Sequence, residues 1–410
     1  MLGSAAFRVR VGLESGKRCE VPSQSRFGGA AREAHTHPPT RPRVPLRRAL
    51  VTRLSWFVAL LALYCRAGTA PPRVAVRRTE RIGNTLMRIL ITGGAGFIGS
   101  HLTDRLLADG HEVIALDNLS TGNARNIEAA RSNPRLRFVH DDVRSEHTLH
   151  VLTEQCDMVY HLAAAVGVQL IVDEPVHTIE TNIHGSEVVL AIANKFRKPV
   201  LIASTSEVYG KSEKVPFRED DDTVLGATRY SRWSYACSKA IDEFLGLAYH
   251  QQYGLPVVVA RFFNTVGPRQ TGRYGMVIPR FVESAIKNEP IHIYGTGKQS
   301  RCFGFVGDVV DAIVKLMNNP KAAGRVYNVG ATEEVSIEGL ADKIIAMTGS
   351  KSTKKFLSYE EAYGRPFDDM MRRIPCLDRI REMTGYEPKA NLEKILQLVI
   401  AEKKEQLARG

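Results

Sequence analysis

Residues 87–102 read MRILITGGAGFIGSHL, and this stretch decides the fold. The short apolar run from Arg88 to Thr92 predicts a buried strand. Gly93, Gly96 and Gly99 follow, and a helical pattern is placed over 101–109. A strand, a glycine-rich turn and a helix in that order are the context a dinucleotide fingerprint requires. The first glycine permits the tight turn, the second lets a pyrophosphate approach the backbone, and the third lets the helix pack on the strand. Free amides between the turn and the helix, those of Phe97 and Ile98 among them, then face the anion.

Outward from this stretch, Gly110 stops the first helix and Glu112 to Asp117 (EVIALD) forms a second strand. A carboxylate at that strand's end, Asp117 with Asn118 behind it, accepts the hydroxyls of an adenosine ribose and repels a 2′-phosphate. NAD is therefore favoured over NADP. A third strand, Leu136 to His140, runs into Asp141, Asp142 and Val143, where Asp142 is placed to accept from the adenine amino group. A turn aspartate is the competing reading. The fourth strand, Met158 to Leu162, ends in Ala163, Ala164 and Ala165, small residues that let backbone lie against the cofactor. Strands alternating with helices imply an α/β fold with a doubly wound parallel sheet.

A long helix over 176–194 leads to a fifth strand ending at Ser204. Two features then stand close together. Ser204 to Gly210 reads STSEVYG, hydroxyls and a carboxylate at a strand's carboxyl end. Tyr235 to Lys239 reads YACSK, a tyrosine and a lysine on one helix face. Tyrosine is a poor base at its reference pKa near 10. An ammonium one turn away and a positive nicotinamide both favour the phenolate. The phenolate then removes a hydroxyl proton while hydride leaves the same carbon, with Thr205 orienting the oxygen.

Together, TGGAGFIGSHL with Asp117, STSEVYG and YACSK resemble the extended short-chain dehydrogenase/reductase family, in its nucleotide-sugar epimerase/dehydratase branch. The resemblance spans about 87–405. It implies a tightly bound NAD, a nucleotide-diphosphate sugar (a UDP-sugar), and oxidation at sugar C4 as the first step. Thr205, Tyr235 and Lys239 take the family's catalytic positions, and Gly93, Gly96, Gly99, Asp117 and Asp142 its NAD positions. It further implies a homodimer built from two helices per chain, here those around 176–194 and 235–253.

The sixth strand ends at Arg261, and FFNTVGPR follows. The resemblance carries a diphosphate contact onto Asn264, and a pyrophosphate or acidic-sugar contact onto Arg301 in GKQSRCF, whose guanidinium fork suits either anion. One of Arg372 and Arg373 is expected at the diphosphate. The implied organisation is a Rossmann domain over 87–262 and a smaller C-terminal α/β substrate-binding lobe over 263–410, with the chain returning to the sheet near 303–330.

Three fates await a 4-keto sugar. A 4,6-dehydratase of this family carries an Asp–Glu pair after its threonine. Ser206 and Glu207 stand there instead, so the acid is missing. Decarboxylation suits UDP-glucuronate, because a C4 ketone makes its carboxylate a β-keto acid, and Ser206, Glu207, the run Arg232 to Tyr235 and GKQSRCF resemble the uronate decarboxylases. The loop Gln270 to Phe281 (QTGRYGMVIPRF) looks instead like 4-epimerases, so both readings stay open. An NAD-binding sensor or scaffold is the reading outside catalysis, and retention of Thr205, Tyr235 and Lys239 argues against it.

The chain has 410 residues and a formal net charge of +12, which suggests a polyanion partner until its distribution is examined. Residues 1–86 hold 16 of the 56 basic and 4 of the 44 acidic side chains, leaving 40 of each for the rest. The motif-bearing part is neutral, so neither nucleic acid nor a membrane surface is called for. Residues 1–86 read as a disordered extension (an early-called start among its explanations), a signal anchor or targeting segment, or, third, a domain of their own, and their apolar run Leu54 to Cys65 is short of the ~20 residues of a membrane span. The motifs point to a cytoplasmic protein, or to an anchored or organelle-targeted one if that segment is genuine. Six scattered cysteines without a CxxC pair suggest reduced thiols and no metal site.

Overall fold

The computed structural model describes residues 86–409 except 274, 365 and 366, so the expectations for residues 1–85 lie outside the described residues. Seven parallel strands form the main sheet: β1 (Arg88–Thr92), β2 (Glu112–Asp117), β3 (Leu136–His140), β4 (Met158–His161), β5 (Val200–Thr205), β6 (Val257–Phe262) and β7 (Arg325–Val329). Their spatial order is β7-β6-β5-β4-β1-β2-β3. Strand order reverses between β1 and β4, and the crevice at the carboxyl ends of such a switch point is where ligands of open α/β sheets bind.

Period-two alternation explains the layering. Ile89 and Ile91 of β1 and Val258 and Ala260 of β6 join a core on one face. Leu90, Val257 and Val259 join the core on the other. Helices cover both faces. α1 (Phe97–Ala108) follows β1, α2 (Glu146–Gln155) follows β3, α3 (Pro175–Phe196) follows β4 and α4 (Arg232–Tyr253) follows β5. α1 starts at Phe97, four residues before the expected His101, because extended Gly96 caps it directly and Gly99 lies inside the helix.

Past β6 the chain builds a second core. α5 (Val277–Ile286), α6 (Val306–Met317), α7 (Ile337–Thr348) and α8 (Leu392–Arg409) follow in order. Phe281, Leu340 and Ile395, from α5, α7 and α8, meet in that core, whereas α6 packs its Val309 and Ile313 on the main sheet. Thus α6 and β7 return to the sheet. The return expected near 303–330 begins outside the main sheet, since Gly304–Phe305 pairs with Thr265–Val266. Among the described residues no helix is long and apolar enough to cross a membrane, and no group of His, Cys, Asp and Glu could hold a metal.

Candidate active site

One cleft of about 460 Å³ runs along the carboxyl ends of β1, β2, β4, β5 and β6 to the second core. Apart from Asp142, every candidate residue lines it: Gly93, Gly96, Phe97, Ile98, Gly99, Asp117, Asn118, Val143, Leu162, Ala163, Ala164, Thr205, Ser206, Glu207, Tyr235, Lys239, Asn264, Arg301 and Arg373. At the β1 end, Gly93 has φ +73°, and a Cβ there would fall 2.8 Å from the Ala163 amide nitrogen. A Cβ on Gly99 would overlap the Gly93 carbonyl oxygen, so helix and turn touch backbone to backbone. Phe97 opens α1, so its first amides have no helical partner. Asp117 accepts from the amides of Ala95 at 3.0 Å and Leu119 at 2.8 Å, which fixes its carboxylate on the rim. Burial nevertheless pushes its pKa up, against those hydrogen bonds.

Asp142 is the exception. Its Oδ1 accepts the Arg144 amide and Nε, each at 2.8 Å, and its Oδ2 accepts Arg144 and Asn118, each at 2.9 Å. Four donors occupy the carboxylate's acceptor positions, so an adenine amino group would have to displace one of them. Arg144, two residues on, folds back to make this clamp. It holds Asp142 well below the usual carboxylate range, and neighbouring Asp141 lines the cleft instead.

At the far end, α4 presents Tyr235, which is 7% exposed. Burial pushes its phenol above the ordinary tyrosine range and the Glu207 charge adds to this, while a hydrogen bond with Thr205 works the other way. The lysine expected to favour the phenolate is engaged elsewhere. Lys239 Nζ donates to Asp242 at 2.7 Å, with both side chains buried. Thr205 also accepts the Glu207 amide at 3.2 Å and starts the single turn 206–209 that carries Glu207.

Beyond Tyr235 lies a buried chain of alternating charges: Arg301, Asp369, Arg232, Glu207, Arg373. Arg301 reaches Asp369 at 2.9 Å, and Arg232 reaches the same carboxylate at 2.6 Å. Arg232 grips Glu207 with two bonds of 2.9 and 3.0 Å, and Arg373 adds a third at 2.8 Å. Tyr359 Oη donates to Asp369 at 2.6 Å. Burial works to protonate both acids, but the guanidinium groups outweigh it and hold both below the carboxylate range. Burial and Arg301 push Arg373 down to about 10, and its Nε is buried without a hydrogen-bond partner. Arg372, facing the other way, pairs with Glu334 at 2.8 Å on the surface, so Arg373 is the arginine of the cleft. Asn264 donates to the Cys302 carbonyl at 3.2 Å.

Arg232 entered the sequence reading only as part of a run, and Asp369 not at all. A carboxylate 137 residues from its arginine partner leaves no local signal.

The family model for GDP-mannose 4,6 dehydratase matches residues 90–399. The UDP-N-acetyl-alpha-D-glucosaminuronate decarboxylase of Bacillus cytotoxicus is 40% identical over 314 residues, 76% of this chain and 96% of that protein. The UDP-glucuronic acid decarboxylase 1 of Xenopus tropicalis is 37% identical over 316 residues, 76% of this chain and 71% of that protein. Among solved structures, the dTDP-glucose 4,6-dehydratase of Streptomyces venezuelae, with NAD bound, superposes at TM-score 0.72 with 29% identity, covering 79% of this chain and 98% of that one.

Proposed function

Because this chain belongs to the nucleotide-sugar epimerase/dehydratase branch of the extended short-chain dehydrogenase/reductases, we propose that it is an NAD-dependent decarboxylase of a UDP-linked uronic acid, UDP-glucuronate first. The buried charge chain carries this reading. Three guanidinium groups and two carboxylates leave one positive charge unmatched beside Glu207, where Arg373 Nε has no partner. A buried charge without a counter-charge is costly. One anionic group on the sugar supplies it, and Arg373, the arginine expected at the diphosphate, is assigned to that group instead. A uronate carboxylate does so, and the hydroxymethyl group of a neutral hexose does not.

The glycine cradle, the open amides of α1 and the Asp117 carboxylate suit NAD, which when bound takes the hydride from C4 and later returns it. Tyr235, as phenolate, accepts the O4 proton, and Thr205 orients that oxygen. Asn264 is placed for the diphosphate. With C4 a ketone, the C6 carboxylate belongs to a β-keto acid, so its C5–C6 bond breaks with loss of CO2 and no strong base. The bonding electrons move to O4, where the Tyr235 phenol donates a hydrogen bond, and C5 then takes a proton from water, which restores the C4 ketone before the hydride returns. Glu207, kept ionised by Arg232 and Arg373, is a poor acid, and Ser206 precedes it. Neither supplies the proton that a dehydratase must give to O6.

We propose a homodimer through α3 and α4; its support is that their outer faces expose Val176 at 65% and Phe244 at 75%. The epimerase reading draws on the loop 270–281 and on the 4-epimerases among the solved structures that superpose, such as the UDP-glucose 4-epimerase of Thermotoga maritima. Parallel incubations with NAD and UDP-glucuronate, UDP-N-acetylglucosaminuronate, UDP-glucose or UDP-N-acetylglucosamine, followed by NMR, test the proposal. It predicts a UDP-pentose from a uronate, whereas C4 inversion without loss of mass would establish the epimerase. Tyr235→Phe should cut turnover at least ~10³-fold, within the usual range for general-base removal; a near wild-type rate would defeat the base assignment.

A further inference from the structure

Asp242 lies one turn beyond Lys239 on α4 with no exposed surface, and its Oδ2 takes the Lys239 ammonium at 2.7 Å. We propose that Asp242 is a positioning residue: it is the counter-ion of Lys239, holding the ammonium in place and opposing the Tyr235 phenolate, so that the base forms when the positive cofactor is bound rather than through the lysine alone. The inference rests on Tyr235 being the base.

A polar group also stands behind the carboxylate. Ser186 stands beside Asp242 and favours its charged form. The Ser186 hydroxyl meets His161 Nε2 at 3.1 Å, and His161 Nδ1 meets the Thr92 hydroxyl at 2.8 Å. That hydroxyl accepts the Ala163 amide at 3.3 Å, in the wall of the cofactor cleft. A polar relay therefore runs from Ser186, beside Asp242, to the end of β1.

The charges on every side are accounted for. Burial and the Lys239 charge push His161 down to about 3, so it is neutral and offers Asp242 no second cation. Glu243, next along α4, is taken by Arg261 at 2.7 and 2.9 Å and by Ser204. Tyr235 faces the anions Glu207 and Asp242 and the cation Arg373. Burial is the largest influence on it, then Glu207, and Asp242 adds in the same direction. Asp242 Oδ1 has no hydrogen-bond partner. An acid placed only to build the helix would not be left half satisfied in the core.

The test is a near-ultraviolet tyrosinate titration of the full chain, without and with NAD, each protein compared with its Tyr235→Phe counterpart to isolate one phenol. Asp242→Asn keeps the shape and removes the charge. Its Tyr235 midpoint should fall by about one pH unit, or about tenfold more phenolate at fixed pH. Asp242→Glu keeps the charge and should keep the wild-type midpoint. The acidic limb of the kcat profile should move with the titration, while the KM for the sugar stays put. Coincident midpoints for wild type and Asp242→Asn overturn the inference, and so does Asp242→Glu shifting like Asp242→Asn, since packing would then be the cause. If Asp242→Asn does not fold, Asp242→Ser is read against the same two outcomes. Turnover that survives Tyr235→Phe defeats the base assignment itself, whereas coincident midpoints with turnover abolished by Tyr235→Phe defeat the role of Asp242 alone.

Discussion

Arg232→Met tests the charge chain where it is most connected. The side chain is 3% exposed and makes two bonds to Glu207, one to Asp369 and one to the Asp368 carbonyl. Its guanidinium also lies 5.0 Å over the Phe367 ring. Methionine fills similar volume without charge. Glu207 then keeps only Arg373 and Asp369 only Arg301, so the chain's net charge falls from one positive to zero. Two consequences separate. Removing one member of a buried ionic network costs about 3–5 kcal/mol of stability. A unit charge at about 4 Å in a medium of effective dielectric near 20 is worth about 4 kcal/mol at most. Discounted for relaxation, the anionic substrate should lose about 10²–10³-fold in kcat/KM. UDP-glucose, assayed as a competitive inhibitor, carries the same diphosphate but no carboxylate, so its inhibition constant should change less than about threefold. The assay is the ratio of the two effects, with folding confirmed by melting temperature. Equal losses for the uronate and the neutral sugar would refute the reasoning, because Arg232 would then act through shape or through the diphosphate.

Gly99→Ala should abolish NAD binding or folding, because the new Cβ would overlap the Gly93 carbonyl oxygen; binding titration or expression of soluble protein checks it. Acid sensitivity should follow Glu207 and Asp369. Their folded pKa values lie below the unfolded ones, so the stability they contribute is fully present above about pH 4–5 and is lost as pH falls through that range and below. Asp117 and Asp242, raised by burial, carry the opposite sign and cost stability as pH rises past the same unfolded values. Denaturant melts between pH 3 and 7 should show the first effect, and Glu207→Gln should flatten it (about one group's share).

The glycine stretch was legible because each glycine answers a local need: a positive φ at Gly93, and at Gly99 a helix that touches the turn. Asp117 was legible for a similar reason, since strand alternation and distance from the fingerprint place it at the end of β2. The YACSK helix face showed its tyrosine and lysine but not what the lysine pairs with. Asp242 at i+3 was in plain view, and only the packing of α4 against the sheet makes it inward and buried. Asp142 was legible as a carboxylate at the end of β3, whereas the arginine two residues on that takes up its acceptor positions was not. Arg372 and Arg373 point to opposite sides of a two-residue strand, and sequence alone cannot say which side is the cleft. Asp369 was invisible. Its partners Arg232 and Arg301 lie 137 and 68 residues away, joined only when the second core closes on the sheet.

The central claim is that C4 oxidation serves loss of the sugar's carboxylate. UDP-glucuronate labelled with carbon-13 at C6, incubated with the NAD-loaded protein, measures this directly. Labelled CO2 should appear in equal amount to unlabelled UDP-pentose. Label retained in a UDP-hexuronate with inverted C4 would contradict the account.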